Sequence, residues 1–197
     1  KSVLDDYFFG KEIGANIEIV DTGDDADTGE RIHACKDLLG ETFMATYGDG
    51  LSDIDVNKLL AFHNASGRLG TMSCVPMYSP YGVVDIEEGG QITSLREKPI
   101  LEGNWINAGF FVFNKKVFDD WRGTNLERDV ISNLVEKQQM MAYQHRGFFK
   151  SMDSYKDRIA PKPALLPTAY FGDDPQPVTD TTPILRRLEG DHQGRSI

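Results

Sequence analysis

The run Phe43-Met-Ala-Thr-Tyr47 stops at Gly48-Asp49-Gly50, and Leu51-Ser-Asp-Ile-Asp55 follows it. It reads as a short buried strand that ends on a carboxylate, with a helix starting a few residues later. In an α/β domain, ligands bind in the space beyond the carboxyl ends of the parallel strands. A carboxylate set there, between two residues without a Cβ, can be approached by a metal ion and a phosphate. The plainer reading is a Gly-Asp-Gly turn carrying a solvated Asp, which is common turn chemistry. By itself the stretch leaves both readings open.

The surrounding pattern supplies the frame. Val3, Leu4, Tyr7 and Phe8 fall at helical spacing, with Gly10 as a stop. The chain does not open on Met, which points to a start inside a longer protein. Asn16-Ile-Glu-Ile-Val20 alternates like a strand, and the Asp, Thr and Gly of 21–29 predict a loop with solvated acids. Helices are expected over 31–39 and 54–64, the second capped by Ser52 or Asp53. His63 falls on the inward spacing of that helix, where a packed histidine is the expectation rather than a catalytic one. Strands follow at 71–77, 83–88, 91–96 and 105–113, the middle two forming a hairpin across Gly89-Gly90. Helices at 115–121 and 126–137 precede strands at 140–144 and 148–152. Alternating strands and helices predict an α/β fold, three-layered around a mostly parallel Rossmann-like sheet with an inserted β-hairpin.

Length and charge bound the function. The 197 residues suit one ordinary domain, read here as 1–158. Six of the nine prolines fall in 159–197, which predicts an extended or disordered tail outside that domain. A net charge of −10 disfavours a nucleic-acid surface, which needs a basic stripe, but allows a nucleotide carried with a divalent metal. The longest apolar run, about nine residues near Trp105, is too short to span a bilayer. No secretory signal is visible, and the isolated Cys35 and Cys74 suit a reducing compartment, so a cytoplasmic location is expected.

Four features recur at predicted carboxyl ends of strands: Asp49; Tyr81-Gly82; Glu97-Lys98, just before Pro99; and Asp153. Gly82 would let a ligand lie against the backbone. Strand alternation would point Glu97 and Lys98 to opposite faces. A Glu can accept two sugar hydroxyls, and a Lys ammonium can neutralise a phosphate monoester. Two carboxylates from distant strands can hold one Mg²⁺ and leave positions for phosphate oxygens. Each feature has a plainer reading as a solvated charge or a cap. Together they suit one ligand, a sugar phosphate with a metal-bound nucleotide.

Tyr47-Gly-Asp-Gly-Leu-Ser-Asp53, Tyr81-Gly-Val-Val84, Arg96-Glu-Lys-Pro99, Trp105-Ile-Asn-Ala-Gly-Phe-Phe-Val112 and Met152-Asp-Ser154 resemble motifs of the sugar-1-phosphate nucleotidyltransferases. Val20-Asp-Thr-Gly-Asp24, Thr28-Gly-Glu-Arg31 and Met141-Ala-Tyr-Gln-His-Arg-Gly-Phe148 are similar to the glucose-1-phosphate cytidylyltransferases among them. The resemblance implies Asp49 and Asp153 as Mg²⁺ ligands, with Lys98 on the sugar phosphate and Glu97 on the sugar hydroxyls. It implies a sugar pocket of Tyr81, Gly82, Asn107, Ala108 and Gly109, with Thr28 and Arg31 near it. The implied reaction joins a sugar 1-phosphate to the α-phosphorus of CTP or another NTP, for nucleotide-sugar and polysaccharide biosynthesis. Homo-oligomerisation of the full-length protein is implied as well.

The family's Gly-Gly-x-Gly-Thr-Arg loop, which wraps the triphosphate, is absent from these residues, and the similarity stops near Arg158. A truncated gene, or a frame change near Ile159, would account for both ends. Loss of the first strand would leave a sheet edge open, and little or no transferase activity is expected of this polypeptide. Two other readings stand beside this one. Asp53-Ile-Asp55 has the form of a glycosyltransferase Asp-x-Asp metal motif, and a non-catalytic sugar-phosphate-binding module would need no triphosphate loop.

Overall fold

The computed structural model describes residues 2–11, 14–152 and 184–186. Helix α1 (Ser2–Phe8) and α2 (Thr28–Ala34) precede strand β1 (Thr42–Thr46) and a short β2 (Gly50–Ser52). Then come α3 (Val56–Ser66), β3 (Gly70–Tyr78), the hairpin strands β4 (Val83–Ile86) and β5 (Ile92–Arg96), and the fifteen-residue β6 (Ile100–Asn114). A 3₁₀ segment (Lys115–Asp120), a π-helical segment (Leu126–Ile131) and α4 (Ser132–Glu136) lead to β7 (Met140–Gln144), β8 (Phe149–Ser151) and β9 (Ile184–Arg186).

Five strands form the main sheet in the order β7-β3-β6-β1-β9. β7 lies parallel to β3 and β9 parallel to β1, while β6 runs antiparallel to both of its neighbours. Four of the five strands therefore point one way, and the carboxyl ends of β1, β3 and β7 open on one side. Two-stranded ribbons, β2 with β8 and β4 with β5, stand off this sheet. The edge beyond β1 carries β9.

Strand alternation explains the three layers. Phe43, Ala45, Phe111 and Phe113 face the α2 and π-helical side, packing with Ile32, Leu126, Val130 and Leu134. Met44, Phe110 and Val112 face α3, where Ile54 and Leu59 meet them. Phe43, Phe111 and Phe113 are fully buried, and each such side chain contributes about 1.5–3 kcal/mol. His63 of α3 is buried, with Nδ1 3.0 Å from Thr71 Oγ1 on β3, so it is a packed histidine as expected.

Several local expectations need correction. Residues 16–20 form no strand: no described strand lies beside them to take their backbone hydrogen bonds, and Ile17 is exposed. Helix α2 starts at Thr28 rather than at Arg31. Asp27 is its N-cap in a capping box with Glu30, not a solvated loop acid. Neither Ser52 nor Asp53 caps α3. The chain stays extended there, with Asp53 N–H donating to Phe148 O at 3.2 Å, and Asp55 accepts from the amides of Asn57 and Lys58 instead. Among the described residues no helix is long and apolar enough to cross a membrane.

Candidate functional site

The turn after β1 places Asp49 at the carboxyl end of the sheet, half-buried. Gly48 and Gly50 flank it, and Met152 N–H donates to its carbonyl at 2.9 Å where β8 ends. β2 and β8 pair Gly50 with Ser151, so a second strand of distant sequence runs to the Asp49 turn. Asp153 follows Met152 in sequence and lies outside the described residues.

Beside this turn β6 breaks its register with β3. Met72 faces Phe111 and Cys74 faces Asn107, so two steps of β3 match four of β6. The surplus is taken up by Ala108, Gly109 and Phe110. Asn107 Oδ1 accepts from Gly109 N–H at 2.8 Å, and Gly109 has φ +73°. That conformation is rare for residues with a Cβ. Tyr47 N–H donates to Gly109 O, and its hydroxyl bonds the carboxylate of Glu127 on the π-helical segment. Ala108 is buried with its carbonyl near Gly50. Asn107, Ala108 and Gly109 thus adjoin the Asp49 turn through backbone contacts.

β3 continues four residues past Cys74 before the β4–β5 ribbon, a distance of about 13 Å at strand rise. Val83 pairs with Arg96, which sets Gly82 beside Glu97. A Cβ on Gly82 would stand 3.2 Å from Glu97 Oε2 and 3.3 Å from Leu95 Cδ1. Tyr81 is exposed. Glu97 and Lys98 do not point to opposite faces. The strand ends at Arg96, Lys98 turns left-handed with φ +45°, and its Nζ lies 4.0 Å from Glu97 Oε1.

Thr28 and Arg31 lie on α2, and their described bonds are made within the scaffold. Thr28 Oγ1 accepts from Leu126 N–H at 3.0 Å. Arg31 donates to Thr22 Oγ1 at 2.8 Å and to Asp24 O at 3.2 Å, tying down the 21–24 loop. Their link to the Asp49 turn passes through Leu126, Glu127 and Tyr47.

Electrostatics separate spectators from candidates. Burial pushes the Cys35 and Cys74 thiols up, so neither is a ready nucleophile. Amide donors from Thr28, and from Asn125 and Thr124, hold Asp27 and Asp129 below the usual carboxylate range. Asp27 caps α2, and Asp129 ties down the Thr124 and Asn125 amides ahead of the π-helical segment. Asp53 bonds His145 Nε2 at 2.7 Å and Asp55 caps α3, so the Asp-x-Asp pattern does not form a metal clamp. Among the described residues no three His, Cys, Asp or Glu side chains gather as a metal site. Among the described residues the Asp49 turn offers one carboxylate, the kind of oxygen donor that a hard cation takes.

Sequence reasoning missed two contacts, Tyr47 with Glu127 and Asp53 with His145. Their partners lie 80 and 92 residues apart, and nothing local marks them. The Asp27–Glu30 capping box was readable from its spacing.

Residues 2–155 match the family model described as nucleotidyl transferase. The chain is 36% identical over 148 residues to a glucose-1-phosphate cytidylyltransferase of Salmonella typhi, covering 73% of this chain and 57% of that one. A probable glucose-1-phosphate cytidylyltransferase of Bacillus subtilis is also 36% identical, over 147 residues, with the same shares covered. A mannose-1-phosphate guanylyltransferase catalytic subunit beta of Dictyostelium discoideum is 32% identical, covering 77% of this chain and 45% of that one. The chain thus spans little more than half the length of the cytidylyltransferases it matches. In fold it is similar to HddC from Yersinia pseudotuberculosis, with a TM-score of 0.58 and 18% identity over 80% of this chain and 71% of that one. The mixed sheet, its ribbons and these relationships agree: the chain belongs to the nucleotidyl transferase family.

Proposed function

We propose that this chain carries the sugar-phosphate and metal side of a site that transfers a cytidylyl group to glucose 1-phosphate. The observation that supports the reading is that Asp49 and Asn107–Gly109 adjoin at the carboxyl end of the sheet, while the ribbon with Gly82, Glu97 and Lys98 follows β3 past its own carboxyl end. The likeness to glucose-1-phosphate cytidylyltransferases supports CTP as donor and glucose 1-phosphate as acceptor.

In the proposed reaction a phosphate oxygen of the sugar 1-phosphate bonds to the α-phosphorus of CTP. The bond from that phosphorus to the bridging oxygen breaks, and pyrophosphate leaves. Lys98 would pair with the sugar phosphate and Glu97 would accept from sugar hydroxyls. Tyr81, Gly82 and Asn107–Gly109 would shape the pocket, with Thr28 and Arg31 holding its border. Asp49, with Asp153 beyond the described residues, would hold Mg²⁺, which supplies charge neutralisation for the phosphates. The protein's share is to align two anions that repel one another in water.

Calorimetry on the 197-residue polypeptide tests the reading. Glucose 1-phosphate should bind, Lys98→Ala should remove that binding, and CTP should bind in Mg²⁺ better than GTP or dTTP. Glucose 1-phosphate binding that survives Lys98→Ala would overturn it. These residues contain no Gly-Gly-x-Gly-Thr-Arg stretch, so pyrophosphate release by this polypeptide should stay near a no-enzyme control. Robust turnover would refute that part alone.

A further inference from the structure

His145 makes two connections that no substrate role accounts for. Its backbone N–H donates to Cys74 O at 2.8 Å, which fixes it at the carboxyl end of β7 beside β3. Its Nε2 lies 2.7 Å from Asp53 Oδ1, with the imidazole largely buried and Asp53 one-third exposed. Asp53 in turn gives its N–H to Phe148 O, and Ser52 Oγ donates to the same carbonyl at 2.8 Å.

These bonds form one continuous zipper. It begins at His145–Asp53, passes through Phe148 and the β2–β8 pairs, and ends where Met152 N–H meets Asp49 O. Gly147 is shaped to it. A Cβ there would overlap Asp53 Oδ1 and stand 2.7 Å from His145 Cε1. The turn between β7 and β8 is therefore closed around the carboxylate–imidazole contact.

We infer that Asp53 and His145 are a positioning pair, which sets the β2–β8 ribbon so that the Asp49 turn is held for a divalent cation. The inference rests on the proposed metal role of Asp49. Neither residue touches the metal or the reacting phosphates. The pair acts through the ribbon; losing a group bonded directly to a metal ligand typically weakens metal affinity about 10- to 100-fold, and this pair, several bonds further back, should act at the lower end of that range.

Mn²⁺ alone, titrated into the 197-residue protein and followed by electron paramagnetic resonance well below the melting temperature, tests this. His145→Ala and Asp53→Ala should each weaken Mn²⁺ affinity about tenfold, and the double variant should be no worse than either single one. Gly147→Ala should reproduce the loss, and His145→Gln, which keeps an N–H for Asp53, should restore most of the affinity. His63→Ala, a core change away from the ribbon, should lower the melting temperature and leave Mn²⁺ affinity alone.

Additive losses in the double variant, or Mn²⁺ affinity within twofold of wild type in the single ones, would overturn the inference. So would a loss in His63→Ala equal to that in His145→Ala, since the effect would then be general destabilisation. Asp49→Asn separates the two levels. If it leaves Mn²⁺ binding intact, or wild type binds no Mn²⁺, the metal role of Asp49 fails and the inference with it. If Asp49→Asn removes binding while His145→Ala does not, only the inference fails.

Discussion

The backbone N–H of Tyr47 donates to the carbonyl of Gly109 at 3.3 Å, and the ring of the same tyrosine covers the face of that glycine. A Cβ on Gly109 would stand 2.8 Å from Tyr47 Cδ2, and the backbone there is left-handed. Two demands meet at one residue: a conformation that disfavours a side chain, and a neighbour that leaves no room for one.

Gly109→Ala should therefore cost about 2–4 kcal/mol, from left-handed strain together with overlap. Urea unfolding measures the loss. Because Tyr47 borders the Asp49 turn, the substitution should also weaken glucose 1-phosphate binding by calorimetry.

Lys98 supplies the opposite case, a strained residue whose removal should not hurt the fold. Its φ is +45°, and its ion pair with Glu97 is long and exposed, so it adds little stability. Lys98→Gly should raise stability slightly, by roughly 0.5 kcal/mol, as relief of strain outweighs the added chain entropy. The same variant should lose glucose 1-phosphate binding. A melting curve and a titration on one sample separate the two effects, and loss of stability with retained binding would assign Lys98 to structure.

Gly29 marks how closely α2 approaches the loop ahead of the π-helical segment. A Cβ there would lie 2.6 Å from Thr124 O, a backbone atom that cannot swing aside. Gly29→Ala should destabilise by about 1–3 kcal/mol, despite its higher helix propensity. Denaturant unfolding monitored by the fluorescence of Trp105 and Trp121 reads it.

Burial lowers the pKa of His63 from its ordinary 6.5. The unfolded chain then binds a proton at His63 that the folded chain refuses. Its contribution to stability is complete above pH 6.5 and is lost as pH falls from there toward the lowered value. Melting temperature should drop between pH 7 and 5, and His63→Gln should flatten that slope. An unchanged slope would place the titration elsewhere.

Much of the scaffold was legible in local pattern. Phe43, Ala45, Phe111 and Phe113 alternate with Met44 and Val112, and that period alone predicts a sheet covered on both faces. The same period failed at 16–20, because a strand also needs a neighbour, and pairing is not a local property. It failed again at Glu97 and Lys98, where the chain bends and alternation no longer applies. At the candidate site, Asp49 stood out by its place between two glycines, and the 107–109 run only through the family motif it resembles. His145 and Glu127 did not, since what defines them is a partner far along the chain.

Finally, the mismatch between β3 and β6 has a developmental meaning for the fold. Four residues of β6 span what two residues of β3 span, and the excess lies beside the Asp49 turn. Removing two residues from 108–110 would let the ladder close between Met72 and Cys74, while the second break, between Pro76 and Tyr78, would remain. Such a protein should fold at least as readily and, on the proposed role of 107–109, bind glucose 1-phosphate more weakly. The site is a tolerated fault in the weave, and selection for regular pairing alone would erase it.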